Sequence, residues 1–148
     1  MRCALVFLVL LACSCKNEGS QRAPVGSAAG SAIAKPIIPD DVLVGRWFAA
    51  MEKQLDADAR ALAVQKFASR EDVEHALMGL TPAGFKPRPE FFQAFYAEAG
   101  EPTTVAKRLA DYASTHGDDM ERRTDAMLKR LEPAMKLAAD NAERQFAR

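Results

Sequence analysis

The chain has 148 residues, of which 49% are hydrophobic and 27% are charged, the balance of one ordinary globular domain. Twenty basic and twenty acidic side chains cancel, so the composition indicates no general attraction to nucleic acid or to anionic headgroups, and we expect no nucleic-acid partner. All three cysteines (Cys3, Cys13 and Cys15) lie in the first fifteen residues, which excludes a disulfide framework or a thiolate metal site from the rest of the chain.

The first twelve residues have the layout of a signal peptide. Arg2 precedes an uncharged and largely apolar run from Ala4 to Ala12. This run is too short to span a bilayer core of about 30 Å as a helix. The chain becomes polar directly afterwards, from Lys16 onward, and Leu10-Leu11-Ala12-Cys13 lies at the junction.

The segment Leu10-Leu11-Ala12-Cys13 resembles the lipobox of bacterial lipoproteins, a resemblance that covers residues 1–16. It implies that the Cys13 thiol carries a diacylglyceryl group, that residues 1–12 are removed, and that the freed amino group receives a further chain such as palmitate. Two or three acyl chains form a stable anchor, whereas a single chain binds only marginally. Cys15 is the alternative attachment site, although its box, Ala12-Cys13-Ser14-Cys15, lacks the leucine.

The same resemblance implies a place in the cell. We expect a protein of the cell envelope, anchored by lipid to a membrane and facing the periplasm. In some lipoproteins an aspartate directly after the modified cysteine retains the protein in the inner membrane. Ser14 occupies that position here, which favours the outer membrane.

Residues 13–39 are predicted to form a lipid-anchored flexible linker. From Lys16 to Pro39 the segment is dominated by Gly, Ser, Ala and Pro and has no sustained apolar period. Such a composition cannot bury enough surface to offset its chain entropy, so we expect it to be disordered. A flexible coil of this length reaches about 25–30 Å, enough to clear the headgroup layer.

Residues 40–148 are predicted to fold as an all-α domain, a small bundle of four to five helices. Asp40 or Asp41 is expected to cap the first helix, which ends either near Asp56–Asp58 or near Ala68. Ser69 is expected to cap a second helix. The apolar residues that recur at helical spacing are Leu43, Trp47, Met51 and Leu55 in the first helix and Val73, Leu77 and Leu80 in the second.

Prolines and glycines delimit three further helices. The third is expected to run from Pro89 to Ala99, with Gly100 at its C-cap. The fourth begins at Pro102 and ends at Gly117, after which Asp118 or Asp119 caps the last. We expect Pro133 to kink this last helix. The inward residues are expected to be Val105, Leu109 and Tyr112 (or Ala113), and then Met120, Met127, Leu131, Ala134, Ala138 and Ala142.

The densest apolar cluster contains four aromatic residues in two pairs at i, i+4 spacing, Phe91 with Phe95 and Phe92 with Tyr96. These four aromatic residues are our candidate face for a partner helix or a hydrophobic ligand. The competing and favoured interpretation is that a short helix buries them in the core of the bundle.

His75 is the weak candidate for a metal ligand. It follows Glu71 by four residues and Asp72 by three, so either carboxylate can lie beside it, as in half of a di-iron bundle site. The other histidine, His116, has no such acid and is expected at a helix end. We therefore expect no metal. The chain also lacks a Gly-rich phosphate loop, CxxCH, HExxH and GxSxG, so we expect neither a cofactor nor enzymatic activity.

The leading hypothesis is thus a membrane-anchored lipoprotein whose helical domain binds a protein partner, in a tethering or adaptor role. Self-association through the alanine-rich segment from Ala134 to Ala147 is a further interpretation. The alternative function is a helical carrier or sensor of an apolar ligand or haem, in which Met51, Met78 or Met127 would take part.

Overall fold

The computed structural model describes residues 37–146, and within that range the chain forms five helices and no strand. The helices are α1 (Asp40–Leu62), α2 (Arg70–Gly79), α3 (Pro89–Ala99), α4 (Pro102–Thr115) and α5 (Gly117–Phe146). This confirms the predicted all-α bundle. The predicted signal peptide, both candidate lipid-attachment cysteines and the predicted linker up to residue 36 lie outside the described residues.

The two longest helices, α1 and α5, run parallel to each other. Contacts between them advance in the same direction along both helices and cover most of the length of α1. A Cβ added to Gly45 would lie 3.4 Å from the Arg123 guanidinium, Glu52 accepts from Arg130, and the Leu62 carbonyl accepts from Asn141. A parallel pair requires the chain to return between the two helices, and α2, α3 and α4 with their connectors make that return.

Helix α3 packs antiparallel to α1. Arg46 near the start of α1 forms an ion pair with Glu98 near the end of α3, while Asp58 pairs with Arg88 at the start of α3. Gln54, only 3% exposed, forms hydrogen bonds to the connector before α3 through both its amide nitrogen and its amide oxygen. Its Nε2 donates to the Lys86 carbonyl at 2.9 Å and its Oε1 accepts from the Arg88 N–H at 2.9 Å.

The core lies between α1, α3 and α5. The predicted inward residues of α5 are all buried, as are Leu43, Met51 and Leu55 of α1, while Trp47 is half-buried. Val44 and Phe48 are also buried, so the apolar face of α1 is wider than the four-residue spacing predicts. Phe85, in the connector before α3, is 2% exposed and fills the core from outside any helix.

The helix ends agree with the sequence at three places. Ser69 caps α2, since its Oγ accepts from the Asp72 N–H at 3.1 Å. Helix α3 begins at Pro89 and is closed by Gly100, whose φ of 104° lies in the left-handed region that favours glycine. Helix α4 begins at Pro102, as expected. Proline and glycine thus mark both ends of α3 and the start of α4. The prediction that Gly117 ends α4 is wrong, because α4 ends at Thr115 with His116 as its C-cap and Gly117 is the first residue of α5.

The predicted aspartate caps are wrong. Pro39 is the N-cap of α1 and no side chain caps this helix; Asp40 and Asp41 lie in the first turn, where carboxylates still interact favourably with the helix dipole. Helix α5 begins at Gly117, so Asp118 and Asp119 also lie in a first turn. Both predicted ends of α1 are wrong too, because the helix ends at Leu62.

Two further boundaries differ from, or extend, the sequence prediction. Ile38 packs against the core and the Pro39 carbonyl accepts from the Leu43 N–H at 2.9 Å, so the last residues of the predicted linker belong to the folded domain. Helix α5 continues through Pro133 to Phe146; the kink stays a prediction.

After α2 the chain turns so tightly that a Cβ on Gly84 would lie 2.2 Å from the Met78 carbonyl oxygen. This turn therefore requires glycine at position 84.

Candidate functional site

The centre of the predicted aromatic face is buried in the bundle. Phe92 is 1% exposed, with its ring centroid 4.7 Å from that of Trp47 and 6.0 Å from that of Phe85. Phe95 is 8% exposed and lies edge-on to Trp47 at 5.7 Å. In this conformation the two rings join α3 to α1 and present almost no surface to a ligand or partner.

The remaining two aromatic residues flank that centre on opposite sides. At 3.6 residues per turn, Phe91 and Tyr96 project from α3 about 140° apart. Phe91 is half-buried, and the Arg88 guanidinium lies 4.9 Å from its ring centroid. Tyr96 is half-buried against Phe95, and this burial raises the pKa of its phenol. The four predicted residues therefore do not form one open face, and a partner would reach only one edge.

His75 lies beside a shallow cavity of about 490 Å³, close to the C-terminal end of α1. The loop after α1 and the first turns of α2 line it, so that Lys66, Glu71, Asp72 and His75 share its rim. Glu71, Asp72 and His75 lie on the same helix and line the same cavity. Within residues 37–146, however, no group of three or more histidine, cysteine or acidic side chains is positioned to hold a metal ion.

The end of α5 holds the α1–α2 loop in place. Asn141 Nδ2 donates to the Leu62 carbonyl at 2.8 Å and to the Gln65 carbonyl at 2.9 Å. Gln145 accepts from the Phe67 N–H at 3.0 Å and donates to the Gln65 carbonyl at 2.8 Å. Neither residue was predicted to have a role. The feature of the sequence that could have indicated them is the spacing of Asn141 and Gln145, two amide side chains one helical turn apart beside the buried alanines of α5.

The outer surface of α2 is acidic and sparsely buried. Of its ten residues only Val73 is buried. Glu71, Asp72 and Glu74 are exposed and form no ion pair with any residue in the described part of the chain. Met78 follows on the same side of the helix as Glu71 and Glu74 and is 60% exposed. This surface therefore combines unpaired negative charge with an exposed apolar side chain.

The opposite end of the bundle contains a different polar cluster, centred on Asp119. The Tyr112 hydroxyl donates to Asp119 Oδ2 at 2.9 Å, Arg123 Nε donates to the same oxygen at 2.5 Å, and Arg122 binds the other oxygen. His116 stacks on Tyr112 with centroids 4.3 Å apart. Donation from Arg123, and next from Arg122, lowers the pKa of Asp119 from 3.8 to about 2.

This pKa predicts how stability depends on pH. Because folding lowers the pKa of Asp119, its stabilising contribution is complete above the ordinary value of 3.8 and is lost as the pH falls towards about 2. We expect Asp119→Asn to unfold at a lower temperature than the wild type near neutral pH, with a difference that shrinks below about pH 4. Thermal unfolding between about pH 7 and pH 2 measures this. Asp118→Asn, at the exposed neighbouring carboxylate, is the control, and a constant difference for Asp119→Asn would contradict the assignment.

The methionines of the alternative ligand hypothesis are not gathered at one place. Met51 and Met127 are 4% and 0% exposed within the core, whereas Met78 lies on the outside of α2. His75 and His116, the two imidazoles that could bind haem iron, are exposed near opposite ends of the bundle. The cavity beside His75 lies at α2 and the loop before it, away from the buried methionines.

Comparison of the chain with protein-family models, with curated proteins and with solved structures finds no match. Among residues 37–146, no helix combines the length and the apolar character that crossing a bilayer requires. Function must therefore be argued from the residues themselves.

Proposed function

We propose that the protein is a bacterial lipoprotein, anchored through Cys13 to the periplasmic face of the outer membrane, whose helical domain binds a protein partner and catalyses no reaction. The observation that carries this proposal is the sequence Leu10-Leu11-Ala12-Cys13 directly after one charge and a short apolar run. Its mechanism is tethering, because confinement beside a membrane raises the effective concentration of the domain near partners there.

The architecture of the bundle determines which of its two ends the linker joins. The linker enters at Ile38, at the start of α1. Because α1 and α5 are parallel, the end of α5 lies with the end of α1 and the α1–α2 loop at the opposite end of the bundle. A helix of 23 residues is about 35 Å long, so α2 and the loop lie about that far from the tether.

The surface best suited to a partner is the outer side of α2. It offers Met78 and the unpaired carboxylates of Glu71 and Glu74, and Val64, in the loop between α1 and α2, is 82% exposed. Charge complementarity favours a partner surface that carries Lys or Arg beside apolar side chains. The aromatic face of α3 is less suited, because Phe92 and Phe95 at its centre are already buried.

Photo-cross-linking in intact cells tests this proposal. A photoreactive residue at Met78 is expected to give a discrete adduct with one envelope protein, identified by mass spectrometry. The same residue at Glu121, exposed in the first turns of α5, is the matched control and is expected to give none. Absence of an adduct at Met78, or equal adducts at both positions, would contradict partner binding through α2.

A further inference from the structure

Arg108 of α4 reaches across the bundle to the residues that precede and begin α1. Its Nε donates to Asp40 Oδ1 at 2.8 Å, while its Nη2 donates to the same carboxylate oxygen and to the carbonyl oxygen of Ile38. The Arg108 side chain is only 23% exposed. Ile38 packs against the core, whereas Ile37, one residue earlier, is 86% exposed.

These contacts differ from those of an ordinary surface ion pair. Exposed pairs contribute little, because water screens them and two long side chains must be ordered. Arg108 instead binds a main-chain carbonyl together with a carboxylate through one planar guanidinium, which fixes the path of the backbone and demands a defined geometry. Helix α1 has no side-chain cap, so no capping hydrogen bond holds its first turn in place of the Arg108 contacts.

We infer that Arg108 is a positioning residue that holds Ile38 and Asp40 against α4, and so fixes the point at which the tether ends and the folded bundle begins. That the segment before Ile38 is a membrane tether rests on the proposed function, whereas the binding of Ile38 and Asp40 by Arg108 does not. Without Arg108, the first turn of α1 frays and the flexible tether gains several residues.

Lys107 provides a matched control on the same helix. It is the neighbouring basic residue, its side chain is 77% exposed, and it pairs with Asp111 one turn later within α4. Lys107→Ala therefore removes one positive charge and one ion pair from α4 without touching the start of α1.

Hydrogen–deuterium exchange of the purified full-length chain, read at single amides, tests the inference. The Leu43 N–H, which donates to the Pro39 carbonyl at 2.9 Å, reports on the first turn of α1. Since hydrogen bonds to charged groups are among the stronger ones, we expect Arg108→Ala to accelerate exchange at Leu43 at least about tenfold. Exchange at Met127, in the middle of α5, is expected to stay unchanged.

The outcomes separate the alternatives. Unchanged exchange at Leu43 in Arg108→Ala, or an equal acceleration in Lys107→Ala, would overturn the inference, as would a uniform acceleration throughout the bundle. If Arg108→Ala fails to fold, Arg108→Lys provides the test, with a smaller acceleration expected because an ammonium group keeps the charge near Asp40 but lacks the planar guanidinium that binds Asp40 and Ile38 together. Cys13→Ala is expected to exchange as the wild type does at Leu43, so a failed anchor and a failed fastening give different results.

Discussion

Phe92→Ala is expected to lower the free energy of unfolding by about 3–5 kcal/mol, the range for removal of a buried aromatic ring. Phe92 is 1% exposed and contacts Trp47, Phe85 and Phe95, so its loss leaves a cavity between α1 and α3. Urea denaturation followed by circular dichroism measures the change. A midpoint close to that of the wild type would show that the ring is not part of the core.

Phe91→Ala is the matched control for this prediction. Phe91 is a half-buried residue at the edge of the same helix, with the Arg88 guanidinium over its ring. We expect its replacement to cost about 1 kcal/mol, as for an ordinary substitution outside the core. Equal losses for both variants would contradict the division of the aromatic face into a buried centre and half-buried edges.

Cys13→Ala is expected to move most of the protein from the membrane fraction to the soluble fraction while leaving the bundle folded. Acyl chains bind a bilayer in proportion to their buried methylene groups, and two or three of them make a stable anchor. The nine-residue run from Ala4 to Ala12 is too short to span the bilayer in their place. Fractionation with an alkaline wash, followed by immunoblotting, measures the distribution.

Cys15→Ala is the control for the anchor. It lies two residues later and removes the other nearby thiol. We expect this variant to remain in the membrane fraction, because Leu10 lies three residues before Cys13, as in the lipobox that this segment resembles, whereas Ala12 lies three residues before Cys15. The reverse pattern would assign the lipid to Cys15, and membrane retention of both variants would contradict a single cysteine as the attachment site.

Much of the fold could be predicted from local sequence. The period of four along α1 and the stripe from Met120 to Ala142 identified the inward faces of the two longest helices, because burial on one side imposes helical spacing. Pro89 and Gly100 delimit α3 because their backbones restrict or permit particular conformations. The prediction of aspartate caps was wrong because a carboxylate is favourable in the first turn of a helix as well as at its N-cap.

The long-range contacts could not be predicted in the same way. Arg108 lies 68 residues from Asp40, and nothing local to either side chain indicates that α4 brings them together. Phe85 enters the core from a connector, where no period marks it. For the aromatic cluster on α3, periodicity identified an apolar face but could not say how deeply its centre is buried, since that depends on the packing of α1.

The most direct test of the lipid-anchored assignment is the mass of the N-terminal peptide of the protein purified from the membranes of bacterial cells. The proposal predicts that this peptide begins at Cys13, lacks residues 1–12, and carries a diacylglyceryl group with or without a further acyl chain. A peptide that begins at Met1 with an unmodified Cys13 would contradict it.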